Sequence, residues 1–468
     1  MSPSARFWSG EGESGEEMTT GLPSASLLEN ARFALTYALP SLLRGAVIPQ
    51  PFWTELVTRL NTGQWAVTTI ERLSERHGGR SVLLRSVLGE TLLILTTEDV
   101  RRVLDSPVEM FSLDAREKQR ALGPFAPDAL NASPPALHGQ RRPFNEAVLD
   151  YGHEPHRLAE RFLAIVGEEI TALLGTATVL DYERSLAGFR RISRRCVLGD
   201  SAADDTELSE EHSRLRADGD WLGLKIWNRG RDAKLRASMD ERIRRYVDAA
   251  EPGTLVSLIP SAPQTRETLP NGQVPFWLMA LDAVRTVVAN ALALVATHPA
   301  ARAEALQEIA AADLTHGRGT VAGLADLRFV RACIQESVRL WPAAPTLVRR
   351  TATETEWHGT IVSAGTRVLI PAAVFHRARK LPYANRLAPE IWLDGSGDAD
   401  WSLNLFSRGQ AQCAGRNLAL VLSTASLAEL LRQAEFELLT PKLSPDRPLP
   451  YAINPLATRF AVHGRPST

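Results

Sequence analysis

A mainly α-helical protein with a small β region is what this chain predicts, on three observations. Apolar residues recur at helical spacing over six long stretches, strand signals cluster in two places, and no Pro/Gly/Ser-rich linker or internal repeat divides the chain. The helical stretches are residues 156–174, 205–249, 274–296, 300–311, 324–341 and 414–433. The first strand signal, residues 81–97, is a pair of β-type runs around Gly89, and the second, residues 357–371, uses Gly359 and Gly365 as turns. Residues 1–22, rich in Ser, Gly and Glu, read as a mobile tail, and residues 23–468 as a single domain.

Composition narrows the function. With 44% hydrophobic and 23% charged residues, the chain can fill a sizeable core. A formal charge of -1 and the absence of a basic block argue against nucleic acid as a partner. Cys196, Cys333 and Cys413 have no paired spacing that suggests a disulfide frame or a zinc site, so a reducing cytoplasm is the expected location. The start of the chain lacks a basic-then-apolar leader. Its most apolar early stretch, residues 33–48, contains Pro40 and Arg44 and is too short to span a membrane.

The chemistry concentrates at Phe406-Ser-Arg-Gly409-Gln-Ala-Gln-Cys413-Ala-Gly415-Arg-Asn-Leu-Ala-Leu, where a loop turns into an apolar helix. A thiol at a helix N-terminus feels the positive end of the backbone dipole, which favours the metal-binding thiolate. Gly409 suits a tight turn, and Gly415 lets the backbone pass close to a flat group. The alternative is a small buried cysteine packed at a helix start.

This segment resembles the cysteine-ligand loop of the cytochrome P450 family: Phe, two residues, Gly, three residues, Cys, one residue, Gly. The resemblance implies that fold, with haem b (iron protoporphyrin IX) between the central helix and the cysteine-ligand helix, Cys413 on the iron, Phe406 covering the sulfur and Gly415 beside the macrocycle. Glu336 and Arg339, in Cys333-Ile-Gln-Glu336-Ser-Val-Arg339-Leu-Trp-Pro342, resemble the family's Glu-x-x-Arg element, a structural pair on one helical face. Leu387-Ala-Pro389-Glu390-Ile391 is similar to the Pro-Glu-Arg-Phe segment but has Ile391 where a second arginine is usual, leaving Arg386 or Arg377 as substitutes.

Two propionates need cationic partners if they are buried. His138 and Arg142, at i and i+4, look like the family's His-x-x-x-Arg clamp. Strand alternation allows Arg349 or Arg350 to point inward, and the resemblance favours Arg349. Ala411 stands where the family often has Arg or His, so a contact is expected to be lost or moved to Arg408. For any single one of Arg141, Arg142 and Arg350, a solvated surface charge is the more common fate.

The central helix departs from the family. Counting back from His298-Pro299, Asp282 takes the position of the distal acid and Ala283 that of the following alcohol, and no Asp-Thr or Glu-Thr step occurs from residue 274 to 299. Asp282 and Thr286 are then the catalytic candidates, with Arg285 placed to engage Asp282 as an i, i+3 ion pair. Candidate substrate contacts are Met279, Ala280, Ala283, Phe125, Thr346 and Leu347, with Trp221, Leu224 and Trp227 as a roof.

The resemblance implies a soluble bacterial monooxygenase of secondary metabolism, oxidising a hydrophobic small molecule with O₂. Electrons would come from a separate ferredoxin and ferredoxin reductase, docking near Arg408 and Arg416. The cluster Arg190, Arg191, Arg194 and Arg195 reads as a solvated helix face. Two alternatives stand beside this: an atypical haem-thiolate reaction (peroxide-driven oxidation, oxidative coupling or cyclisation), and a catalytically silent haem-binding partner protein.

Overall fold

The computed structural model describes residues 21–45, 49–86, 89–219 and 229–464. Trp221, Leu224 and Trp227 lie outside these residues, as does most of the predicted tail. The tail's last residue is docked: Leu22 is buried, and its N–H donates to Thr360 Oγ1 at 2.8 Å.

The central helix, Pro270–Thr297, is long and apolar enough to cross a membrane, yet it forms the axis of the helical core. It packs against Tyr182–Val197, Arg328–Leu340 and Arg416–Gln433, while Ala159–Leu174 packs on the first and last of these. Its apolar residues are therefore covered by helices. The predicted stretch 205–249 contains two helices, Thr206–Gly219 and Arg229–Ala249, and 324–341 divides into Val321–Asp326 and Arg328–Leu340.

The strands are β1 (Val82–Ser86), β2 (Gly89–Leu93), β3 (Phe111–Ser112), β4 (Val179–Leu180), β5 (Leu347–Thr351), β6 (Thr355–Trp357), β7 (Thr360–Val362), β8 (Arg367–Ile370), β9 (Ala434–Thr440) and β10 (Arg459–Gly464). The two predicted strand regions join in one sheet, β1-β2-β8-β5-β3, in which β2 and β8 run parallel and the other pairs antiparallel. Strands β6 and β7 form a hairpin across Gly359, whose φ of 78° favours glycine. A further sheet, β4-β10-β9, corrects the expectation of only two strand regions. Its β9 follows the Cys413 helix with no Gly or Pro between them, and only the alternating burial of Ala434, Phe436 and Leu438 marks it.

The expected solvated arginine face on Tyr182–Val197 is also corrected. Arg194 and Arg195 are buried. Arg194 donates to the Ala202 and Ala203 carbonyls and to Ser209 Oγ, and Arg195 to Glu168, Glu169 and Asp200. These side chains fasten the helix to its neighbours, because each partner comes from a different turn or helix that only the fold brings close.

Glu336 and Arg339 are fully buried, joined Oε1 to Nε at 2.6 Å and Oε2 to Nη2 at 2.7 Å. Arg339 also donates to the carbonyls of His376, Ala384 and Arg386. The carboxylate's other partners are the Ala388 N–H at 2.7 Å and Trp392 Nε1 at 2.8 Å. Trp392 thus donates to Glu336 where an arginine was sought. Arg386 pairs with Glu390 on the surface, and Arg377 is held by Asn385 and the carbonyls of Leu449 and Pro450. Glu336→Ala leaves a buried guanidinium unpaired and should cost about 3–5 kcal/mol in denaturant titrations. Trp392→Phe, losing one hydrogen bond to a buried charge, should cost roughly 1.5–3 kcal/mol.

Candidate active site

The cysteine loop is shaped by backbone constraints. Gly409 has φ +66°, and a β-carbon there would sit 1.9 Å from the Leu104 carbonyl oxygen, so no side chain fits. The Cys413 N–H closes the loop on the Phe406 carbonyl at 2.8 Å, and the helix Arg416–Gln433 starts just beyond. A β-carbon on Gly415 would meet only Leu149 Cδ1, at 3.8 Å, so the protein itself does not demand glycine there.

Cys413 is exposed although the chain surrounds it closely. Burial pushes its thiol pKa up, opposed by the Gly415 N–H, Arg142 and Arg416. The expected lowering at a helix start is outweighed by desolvation, and a bound metal cation would reverse that balance. Cys196 and Cys333, by contrast, are fully buried, and burial raises both thiols.

A cluster of cationic side chains gathers near this loop. His138 is buried with no hydrogen-bond partner on Nε2, and its pKa is pulled down to about 4 by burial and by Arg142, Arg349 and Lys118. Arg349 is buried, makes no ion pair among the described residues, and donates to Ser407 Oγ at 3.1 Å beside Phe406; burial lowers its pKa to about 10. Lys118, which the sequence reading missed, is pulled well down by burial and by Arg349. Its place in a loop helix, Arg116–Leu122, carried no motif.

Other expected anion contacts are engaged within the protein. Arg142 binds Glu146 and the Gln412 carbonyl and lies 4.8 Å over the Tyr151 ring, tying its helix to the cysteine loop. Arg350 forks onto Asp114. Arg141 is buried against Asp128, Ser133 and the Glu267 carbonyl. Arg408 is corrected as a cofactor contact: it donates to the carbonyls of Gly397, Asp398, Asp400 and Leu403 and stiffens the preceding loop.

The central helix presents two chemically different sides. Ala280 is exposed midway along an otherwise largely buried helix, and Phe276, Met279, Ala283 and Val287 are partly accessible around it, at helical spacing. Asp282 faces elsewhere. Its Oδ2 accepts from Arg216 Nη1 at 2.8 Å, from the helix Thr206–Gly219, so the expected Asp282–Arg285 ion pair is corrected. Arg285 lies 4.4 Å over the Tyr182 ring and donates to Thr286 Oγ1 at 3.0 Å. Among the substrate candidates, Phe125 is fully buried edge-on to His212, Leu347 pairs with Ile370 across the sheet, and Thr346 shares a short hydrogen bond with Tyr37.

A flat, dianionic cofactor with a thiolate ligand fits these residues. Cys413 would supply the sulfur, Gly415 the clearance, and the partnerless His138 Nε2 with Arg349 and Lys118 the cationic contacts. Residues 277–456 match the sequence model of the family described as Cytochrome P450. This part of the chain is similar to cytochrome P450s. A matched region covering 42% of this chain is 32% identical, over 211 residues, to cyclooctat-9-en-7-ol 5-monooxygenase of Streptomyces melanosporofaciens, covering 46% of that protein. Another, over 196 residues and 41% of the chain, is 26% identical to cytochrome P450 4c3 of Drosophila melanogaster, covering 35% of it. A third, over 172 residues and 35% of the chain, is 28% identical to methyltetrahydroprotoberberine 14-monooxygenase of Papaver somniferum, covering 33% of it. The chain thus spans less than half the length of these curated relatives. The matched family implies haem as cofactor, and the cysteine loop and the Glu-x-x-Arg pair both lie inside the matched residues.

Arg349→Met and Lys118→Met should each speed haem loss to an apoglobin acceptor by roughly ten- to hundredfold, the worth of one charge-assisted contact. His376 connects the two halves of the site: its carbonyl accepts from Arg339, and its Nε2 accepts the Asn404 N–H at 3.2 Å. Burial, then Arg339, pulls its pKa to about 4. The unfolded chain, with an ordinary histidine near 6.5, takes up that proton first as pH falls. Stability contributed by His376 is therefore full above about 6.5 and lost on descent towards 4. His376→Asn should flatten this part of the stability–pH curve, measured by denaturant midpoint.

Proposed function

We propose that this chain is a haem-thiolate monooxygenase of soluble bacterial type that oxidises a hydrophobic small molecule in secondary metabolism. The observation that carries this is Cys413, accessible within the protein interior beside a buried cationic cluster. Haem bound there would supply iron at which O₂ is activated. Cys413 would hold the iron, and His138, Arg349 and Lys118 the propionates. Electrons would come from a separate ferredoxin and ferredoxin reductase in the cytoplasm; on the cysteine side Arg408 is engaged internally and Arg416 is part-exposed and paired with Asp398, so docking there would use Arg416 in competition with that carboxylate.

The substrate side is apolar: Met279, Ala280 and Ala283 offer no hydrogen bonds, which suits a molecule held by shape and burial. One relative is named as a 5-monooxygenase of cyclooctat-9-en-7-ol, an alcohol. The Tyr37–Thr346 hydroxyl pair would suit one such oxygen.

A second reading, a peroxide-driven or otherwise atypical haem-thiolate reaction, is favoured by the distal helix. Ala283 has no hydroxyl, the Thr286 hydroxyl is occupied by Arg285, and Asp282 is held by Arg216 away from the accessible side. Proton delivery in the first reading therefore rests on Asp282 leaving Arg216, or on water ordered by substrate. Two rates decide between the readings: product formed with O₂ and reduced ferredoxin, and product formed with hydrogen peroxide. The first reading expects the O₂-driven rate to dominate, and a faster peroxide rate supports the second. Ala283→Thr should raise product formed per O₂ consumed, because the added hydroxyl can order a proton-delivering water on the accessible side. No change would place proton delivery elsewhere.

A further inference from the structure

Three segments meet at the cationic corner of the site, and they are not held equally. His138 stands on the 15-residue helix Pro135–Leu149, and Arg349 on β5, which is paired on both edges, with β8 and β3. Lys118 stands on the seven-residue helix Arg116–Leu122, in the connection that leads from β3 to the helix of His138. A helix this short has little stability of its own. Its place depends on what its side chains touch.

Lys118 is surrounded closely by the chain yet partly accessible, the condition also found at Cys413, so its side chain reaches the same kind of interior space. The carboxylates nearest to it in the chain are committed elsewhere. Asp114 forks onto Arg350 and accepts from Ser112 Oγ, and Glu117 pairs with Arg367 on β8. Among the described residues Nζ donates to the Asn131 carbonyl, at a long 3.4 Å. Kept inside, the lysine must hold a charge that burial and Arg349 oppose, or give up its proton. Moving outward with its short helix removes that cost, whereas the elements of His138 and Arg349 cannot follow.

The same connection runs on to the distal side. Arg116–Leu122 packs on Thr206–Gly219, and the Gly123 carbonyl accepts from Arg236 Nη1 at 2.8 Å, from the helix Arg229–Ala249. Phe125, fully buried, lies edge-on to His212 of Thr206–Gly219. One stretch of chain therefore joins the cationic corner to the helices that pack across the substrate side.

We propose that Lys118 is a positioning residue through which a dianionic cofactor fixes residues 113–132 and, beyond them, the helix Thr206–Gly219. A carboxylate of the cofactor draws the ammonium inward by a charge-assisted hydrogen bond, and the connection closes with Phe125 against His212. This role rests on the haem reading above.

The test is amide hydrogen exchange of the full-length protein, read by mass spectrometry before and after haem loading. In the natural chain, loading should slow exchange of residues 113–132 and 206–219 by at least about tenfold, the factor carried by each pKa unit of charge burial. Lys118→Met keeps the length of the side chain and has no charge to bury. In this variant the two segments should already exchange slowly before loading, so that their response to haem largely disappears, while residues 135–149 and 404–416 still gain protection. Lys118→Arg, which keeps the charge, should behave like the natural chain. Two results would overturn the proposal: residues 113–132 that do not respond to haem in the natural chain, or a full response of these residues in Lys118→Met. Failure of the natural chain to take up haem, seen as an absent Soret band, would overturn the haem reading and this role together.

Discussion

The rest of the site depends on keeping one sulfur accessible inside a protein that would otherwise bury it. Cys196 and Cys333 show the ordinary outcome, packed to zero exposure with their thiols neutral. Cys413 escapes it because Gly409, pressed against the Leu104 carbonyl, turns the chain sharply, and because Gly415 adds no side chain beside the sulfur. The loop then closes on Phe406, and Arg142 holds it through the Gln412 carbonyl. A buried neutral thiol is what the protein alone favours. A cation is needed to make it a thiolate, so ligand and metal stabilise each other.

The same logic extends outward. His138, Arg349 and Lys118 are costly where they sit, because burial works against each positive charge and the cluster repels itself. An anionic cofactor relieves both costs at once. The scaffold that tolerates this arrangement is rigid: Glu336, Arg339 and Trp392 form a fully satisfied polar knot, and His376 links the knot to Asn404 on the way to the cysteine loop.

Much of this was legible in the sequence where one residue type has one physical use. The cysteine between glycines, the Glu-x-x-Arg spacing and the long apolar central helix each carry their meaning locally. What could not be read depends on partners distant in the chain. Trp392 gives no sign of donating to a carboxylate 56 residues earlier. Asp282 and Arg285 have the spacing of a helical ion pair, but tertiary neighbours outcompete it: Arg216 takes the carboxylate and the Tyr182 ring takes the guanidinium. The arginines of Tyr182–Val197 and Arg408 look alike in sequence to solvated charges, and only the fold supplies the carbonyls and carboxylates that bury them.

The central claim is that Cys413 is the iron ligand in a haem-thiolate site. The most direct measurement is the absorption spectrum of the reduced, carbon-monoxide-bound protein, compared between the natural chain and Cys413→His. The account predicts the red-shifted Soret band of a thiolate-ligated haem in the natural chain and a shift to the position typical of imidazole ligation in the variant. Identical spectra from the two proteins would contradict it.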